Sequence, residues 1–234
     1  MKGIAFTSFK GGAGKSTAAM ALASAYVAAG STVTMIDADE NAPLFAWRDA
    51  GRRNRLWDEA CEVLKGNDLR SLEQASTAAL DRGSDIVIVD TRGGGSEINN
   101  TIMGSVDMIV VPTALTNLDI AAGLETFEYA ARLLHDMGLT TPLVLLVQRV
   151  PVGKLTVSQT QDLAALSTLP RLNSVLHARD AFGAISKRGL LHLSLAAAAS
   201  EPRTRLMATH LGTAMNEARD LQQEIADRLA KAAP

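Results

Sequence analysis

Ser8-Phe9-Lys10-Gly11-Gly12-Ala13-Gly14-Lys15-Ser16-Thr17 stands between a short apolar run, Ile4-Ala5-Phe6, and an alanine-rich helical stretch. Strand, small-residue turn and helix in that order make a phosphate-binding loop. Small residues let consecutive backbone N–H groups turn inward around phosphate oxygens, and the helix N-terminus adds its partial positive charge. Lys15 brings an ammonium, and the Ser16 hydroxyl can ligate Mg²⁺. The common pattern G-x-x-x-x-G-K-[S/T] needs glycine at position 9. This chain has Phe9 there, and a second lysine, Lys10, precedes the glycine pair. A dinucleotide fingerprint starting at Gly12 fails because its third glycine falls on Thr17, although Asp37 could pose as the ribose-binding acid.

Working outward, apolar runs at 2–8, 32–37, 85–90, 106–112, 142–148 and 172–176 are rich in Val, Ile and Leu without alternation, the pattern of strands covered on both faces. Helical stretches at about 16–29, 42–54, 68–82, 97–104, 117–137 and 156–167 separate them. The alternation predicts an α/β P-loop NTPase fold, a mostly parallel sheet with helices on both faces. A last segment, 202–231, repeats Leu206, Met207, Leu211, Met215, Ala218, Leu221, Ile225 and Leu229 at helical spacing, above a polar face of mixed charge. It is expected to pack on the same domain, 1–234, and not to lie on a membrane.

Composition narrows the classes. At 234 residues, 47% hydrophobic and 21% charged, the chain suffices for a sizeable core and is too apolar for disorder. Cys61 is the single cysteine, which excludes an internal disulfide and a four-cysteine iron–sulfur site within one chain. Lys10 interrupts the N-terminal apolar run and no stretch is long enough to span a membrane, so a cytoplasmic protein is expected. The net charge of −2 is unevenly spread: residues 149–205 carry +5 and the rest −7. Such asymmetry can build a patch for DNA phosphates, and an arginine-rich solvated surface would give the same count.

Two predicted strands end in acid: Met35-Ile36-Asp37-Ala38-Asp39 closes the second and Val87-Ile88-Val89-Asp90 the third. Ligands of such sheets sit at these ends, and carboxylates there hold Mg²⁺ through water. Each alone could merely cap a helix; together, behind a phosphate loop, they favour a metal and water site. The following Thr91-Arg92-Gly93-Gly94-Gly95 is a loop placed to sense a γ-phosphate, or else an ordinary glycine turn.

These features resemble the ParA/MinD family of deviant-Walker ATPases, over nearly the whole chain. Asp37-Ala38-Asp39-Glu40-Asn41, Asp90-Thr91-Arg92-Gly93-Gly94, Asn99-Asn100-Thr101-Ile102, Arg149-Val150-Pro151-Val152-Gly153 and Arg179-Asp180-Ala181-Phe182 are more narrowly similar to its VirC branch, from agrobacterial T-DNA transfer. The resemblance implies two ATP·Mg²⁺ sandwiched in a homodimer, with Lys10 reaching the partner's phosphates. It further implies Lys15 on the β/γ-phosphates beside the Gly11, Gly12, Ala13 and Gly14 backbone, Ser16 on the metal and Thr17 on the α-phosphate. Asp39 would position water, Asp37 and Asp90 would stand at or near the metal, and Gln148 with Arg149 would contact the base. Lys154 falls near a basic position used on DNA, with Arg179, Lys187 and Arg188 extending that surface. The narrower likeness implies delivery of a relaxase–DNA complex to the coupling protein of a type IV secretion channel, with recruitment to nucleoid or cell pole.

Plasmid segregation, an ATP-switched protein adaptor with little DNA affinity, and a small-molecule kinase or synthetase are the competing readings; Lys10 disfavours the last. A nitrogenase-type reductase needs two cysteines per subunit. The chain departs from many ParA proteins in having Thr91-Arg92-Gly93 where they carry a proline pair, and Glu40-Asn41 where they carry Pro-Gln. Both departures fall in the segments that govern hydrolysis more than binding.

Overall fold

The computed structural model describes residues 1–232. Seven parallel strands form the central layer: β1 (Lys2–Phe6), β2 (Val33–Asp37), β3 (Cys61–Lys65), β4 (Ile86–Asp90), β5 (Met108–Thr113), β6 (Leu143–Val150) and β7 (Leu176–His177). Their spatial order is β3-β2-β4-β1-β5-β6-β7. The chain leaves β1 toward one edge, returns through β4, and then builds outward on the other side. The order therefore reverses beside β1, where open α/β sheets hold ligands at the strands' C-terminal ends.

Helices α1 (Lys15–Ala28), α2 (Pro43–Arg53), α3 (Leu69–Asp81), α4 (Glu97–Ser105), α5 (Asn117–Asp136), α6 (Val157–Leu166), α7 (Asp180–Arg188), α8 (Leu191–Ser200) and α9 (Arg205–Lys231) cover both faces, with a 3₁₀ turn at Pro202–Thr204. The parallel sheet and two-sided helical cover agree with the expected fold. Strands β2, β4 and β5 are buried along their whole length, as their unbroken Val/Ile runs require. Helix α1 is buried nearly all round; its alanines let it sit close between the sheet and α7, α8 and α9. The α9 stripe from Leu211 to Leu229 packs into this same core, whereas Leu206 stays 74% exposed.

Four elements depart from the sequence reading. Cys61–Lys65 forms an edge strand where none was expected, so Asp90 closes the fourth strand and not the third. The strand expected at 172–176 shrinks to Leu176–His177, while Leu172 joins the core through a backbone hydrogen bond to the Leu145 carbonyl at 2.8 Å. Two helices, α7 and α8, fill the stretch between β7 and α9. α8 is tied to α1 by the Ser24 hydroxyl, which accepts from Leu191 N–H at 3.0 Å.

Candidate nucleotide site

The phosphate loop occupies the turn from β1 into α1. Gly12 and Gly14 adopt φ +75° and +86°, values a β-carbon would strain. At Gly14 a β-carbon would also strike the Gln148 side chain, whose amide donates to the Ala13 carbonyl. Helices α3, α4, α5 and α6 are each capped by a side chain, from Asp68, Ser96, Thr116 and Thr156. α1 starts on Gly14 with no side-chain cap. Its first-turn N–H groups are left for an anion.

Lys15 lies beneath that turn, only 6% exposed. Burial lowers its pKa, opposed by the negative charges of Asp90 and Asp39. Asp90 is fully buried, and neither carboxylate oxygen has a hydrogen-bond partner of normal geometry. Burial pushes its pKa up to about 7, although the Ser16 hydroxyl and the Lys15 ammonium pull the other way. Asp37, paired in register with Asp90 across β2 and β4, is pushed by burial up to about 6. Its oxygens accept from Asp39 N–H at 3.2 Å and Leu44 N–H at 2.8 Å, so Asp37 holds the first turn of α2 as well as facing the site. Trp47, fully buried and edge-to-face with Trp57 at 4.9 Å, anchors α2 there. Asp39 is half-buried and accepts from the backbone and side chain of Asn41 at 2.8 and 2.9 Å.

Ser16, Lys15, Asp37, Asp39 and Asp90 thus meet beside the loop. Among the described residues no three His, Cys, Asp or Glu side chains form a metal cage. An ion here would be held by Ser16 and phosphate oxygens, with carboxylates behind water. The unpartnered oxygens of Asp90 fit that arrangement.

Gln148 and Arg149 stand at a cavity of about 340 Å³ that opens from Gly14 and Thr17. Arg149 sits at φ +53°, rare for a non-glycine residue, at an irregularity in the pairing of β6 with β7. The same cavity is lined by Arg179, expected on the DNA surface. Arg179 Nε is 2.6 Å from Glu217 Oε1 of α9, and that carboxylate also takes His177 N–H and Nδ1, each at 2.9 Å. Arg188 leans on the sulfur of Met207 at 3.2 Å. Lys154, in the loop after β6, and Lys187, near the end of α7, are exposed and in no ion pair among the described residues. The four basic residues therefore do not share one setting: Arg179 belongs to the wall beside the phosphate loop.

Lys10 is tied within its own chain. Its ammonium lies 2.7 Å from Asp119 Oδ1, and Arg149 Nη2 reaches the same oxygen at 3.3 Å. Asp119 is 11% exposed and accepts from Thr116 Oγ1, in the first turn of α5. Its pKa is lowered: burial, which acts to raise it, is outweighed by the hydrogen bonds from Lys10 and Thr116 and the charges of Arg149 and Lys10. Sequence reading missed this carboxylate because Thr116-x-x-Asp119 looks like an ordinary helix start.

Residues 1–231 match the family model described as "VirC1 protein". The chain belongs to the VirC1 family. A curated VirC1 protein of Rhizobium rhizogenes is 42% identical over 231 residues, which cover 99% of this chain and all of the relative. Solved structures share the fold at lower identity. The MinD cell division protein of Aquifex aeolicus superposes with a TM-score of 0.63 at 17% identity, covering 95% of this chain and 98% of that one. A Cyanothece McdA(D38A)–ATP complex gives 0.65 at 15% identity, covering 94% and 95%. VirC1 membership and the MinD-like fold agree with the resemblance read from the motifs. Among the described residues no helix is long and apolar enough to cross a membrane.

Proposed function

We infer that this chain is a Mg²⁺-dependent ATPase that dimerises face to face on ATP and thereby positions a DNA-processing complex. The observation that carries this reading is the pairing of an uncapped α1 with a buried, unpartnered Asp90: a ready anion cradle beside a carboxylate that needs a cation or its water. The McdA structure, which holds ATP, supports the choice of nucleotide.

The residues divide the work. The backbone from Gly11 to Gly14 and the first turn of α1 bind the phosphates, with Lys15 on the β/γ oxygens and Thr17 toward the α-phosphate. Ser16, with Asp90 and Asp37 behind, would hold Mg²⁺, which neutralises charge on the β- and γ-phosphates when bound. Asp39, at the rim, orients the attacking water. Gln148, Arg149 and the wall containing Arg179 receive the base. Lys10 leaves Asp119 to reach the partner's phosphates, so a monomer lacks its activating cation. P-loop sites in that condition turn over at roughly 10⁻⁴ s⁻¹. ATP then times the lifetime of the dimer.

In this reading the chain's cargo is a relaxase–DNA complex bound for a type IV secretion channel, a role that VirC1 family membership supports. DNA would be held largely without sequence preference through Lys154, Lys187 and Arg188. The dispersal of these residues favours one competing reading, an ATP-switched adaptor that grips relaxase or coupling protein with little DNA affinity. Sizing the purified chain with ADP, ATP and a slowly hydrolysed analogue, with and without duplex DNA, tests both. A dimer that forms with ATP and not with ADP is expected, shifting further with DNA; an ATP dimer indifferent to DNA selects the adaptor. A monomer throughout would remove the reading.

A further inference from the structure

We propose that Arg92 reads the γ-phosphate: its guanidinium, parked on Glu40, transfers to the terminal phosphate of ATP bound by the same chain and compensates its charge during hydrolysis. This rests on the ATPase reading above.

The two departures from the ParA pattern meet in space. Arg92 Nη1 lies 3.1 Å from Glu40 Oε1, bridging the segments that follow the neighbouring strands β4 and β2. Separately, each looks like loss of a rigid proline. Together they build a charged pair at the mouth of the site. A cleft of about 280 Å³ is lined there by Asp39, Glu40, Asn41, Arg92, Gly93 and Gly95, and among these six Arg92 is the sole cation.

The backbone that carries Arg92 is fixed, while its side chain is not. Thr91 donates to the Phe6 carbonyl through its N–H at 3.2 Å and its hydroxyl at 3.0 Å. The buried Asn99 amide donates to the Arg92 carbonyl at 3.1 Å and the Gly94 carbonyl at 2.7 Å. Between those anchors Gly93 leans on the phosphate loop, so that a β-carbon on it would stand 3.6 Å from Gly11 N and 3.7 Å from Phe9 O. By contrast the Arg92 side chain is 37% exposed and its Glu40 partner 72%. Exposed pairs of this kind are held weakly and exchange readily for a stronger anion.

A triphosphate is that anion. Bound over Gly11 and Gly12, it would bring several negative charges next to Asp39 and Glu40, and guanidinium matches phosphate oxygens with two parallel hydrogen bonds. In the hydrolytic step water oxygen bonds to the γ-phosphorus, the bond to the β–γ bridging oxygen breaks, and the water's protons pass to phosphate and solvent. Arg92 takes no proton. It offsets charge on the transferring group, the task an arginine finger performs elsewhere.

The test titrates wild type, R92A, R92K and E40Q with MgADP and with a slowly hydrolysed MgATP analogue, and follows phosphate release from MgATP. R92A is expected to bind the analogue roughly tenfold more weakly with MgADP affinity changed less than about twofold, and to release phosphate more than tenfold more slowly. R92K recovers part of the binding and little of the rate. E40Q, which frees the guanidinium, binds the analogue a few-fold more tightly. An unchanged Tm in R92A separates this from a structural defect. Arg92 is ruled out if R92A keeps the wild-type preference for the analogue over MgADP while Asp39→Ala loses turnover, an outcome that leaves the ATPase reading intact. A wild type that binds neither nucleotide defeats that reading, and Arg92's role with it.

Discussion

The two regions of this molecule that carry positive charge are built on opposite principles. Beside β1, Lys15 is buried near Asp90, whose carboxylate oxygens lack partners, and α1 begins without a side-chain cap. In the 149–205 segment, whose sequence charge is +5, the cations are dispersed or already answered: Arg179 by Glu217, Arg149 by Asp119. Unmet polar groups in a buried setting are costly and persist where a ligand completes them. Charge on an open surface needs no such completion. The first region therefore declares its ligand, and the second declares only a preference for anions.

The largest effect should come from the region that is incomplete. Lys15→Ala is expected to weaken MgATP binding by at least about 100-fold, since a buried charge-assisted contact to phosphate is lost and Asp90 is left with no counter-charge. Calorimetric titration reads this directly. A variant that binds MgATP normally would make the comparison meaningless, because the cradle would then not be the site.

Asp90 sharpens it through pH. Its pKa in the folded chain is raised from 3.8 to about 7, so between these values the native state holds a proton the unfolded chain has released. The stability of the unliganded protein from this group falls as pH rises through that window, and Asp37, raised to about 6, acts in the same direction. Asp90→Asn should then raise the unliganded Tm by roughly 3–6 °C at pH 8, an advantage that fades near pH 4. The gain should be lost with MgATP, which stabilises wild type and not the variant. A Tm that falls at pH 8 would mean the carboxylate has a partner already.

How much of this was legible follows from distance along the chain. The phosphate loop is ten consecutive residues, and the Val/Ile strands announce themselves by composition, so both were readable. The edge strand β3 was not, because Cys61-Glu62-Val63-Leu64-Lys65 is short and half-exposed, with charges at Glu62 and Lys65. Helices α7 and α8 were hidden by their brevity and by Gly189-Leu190, which all but joins them. The contacts that govern Lys10, Arg179 and Arg92 join residues 109, 38 and 52 positions apart. No local pattern marks such pairs; only the sheet order and the packing of α9 bring them together.

Lys10 is the bridge between the regions, since Asp119 holds it together with Arg149. Asp119→Asn should leave MgATP binding by the monomer within about twofold and lower the protein concentration needed for the ATP dimer by a few-fold, because removing the carboxylate removes the cost of releasing Lys10. Analytical ultracentrifugation in MgATP measures it. A higher concentration requirement would instead make Asp119 part of the dimer contact.

The smallest effect, and the most discriminating, belongs to the dispersed cations. If Lys154 touches DNA phosphate, Lys154→Ala should weaken duplex binding about two- to threefold and reduce the slope of log affinity against log salt by about one. Arg179→Ala should leave that slope alone, since its guanidinium is spent on Glu217, and should instead lower Tm and loosen the cavity beside Gly14. Fluorescence anisotropy across a salt series separates the two. Should Arg179→Ala flatten the slope while Lys154→Ala does not, the DNA face runs along the start of α7 and Glu217 is its gate. Should both leave a slope near zero, the surface grips protein, and the +5 of the sequence reports solubility alone.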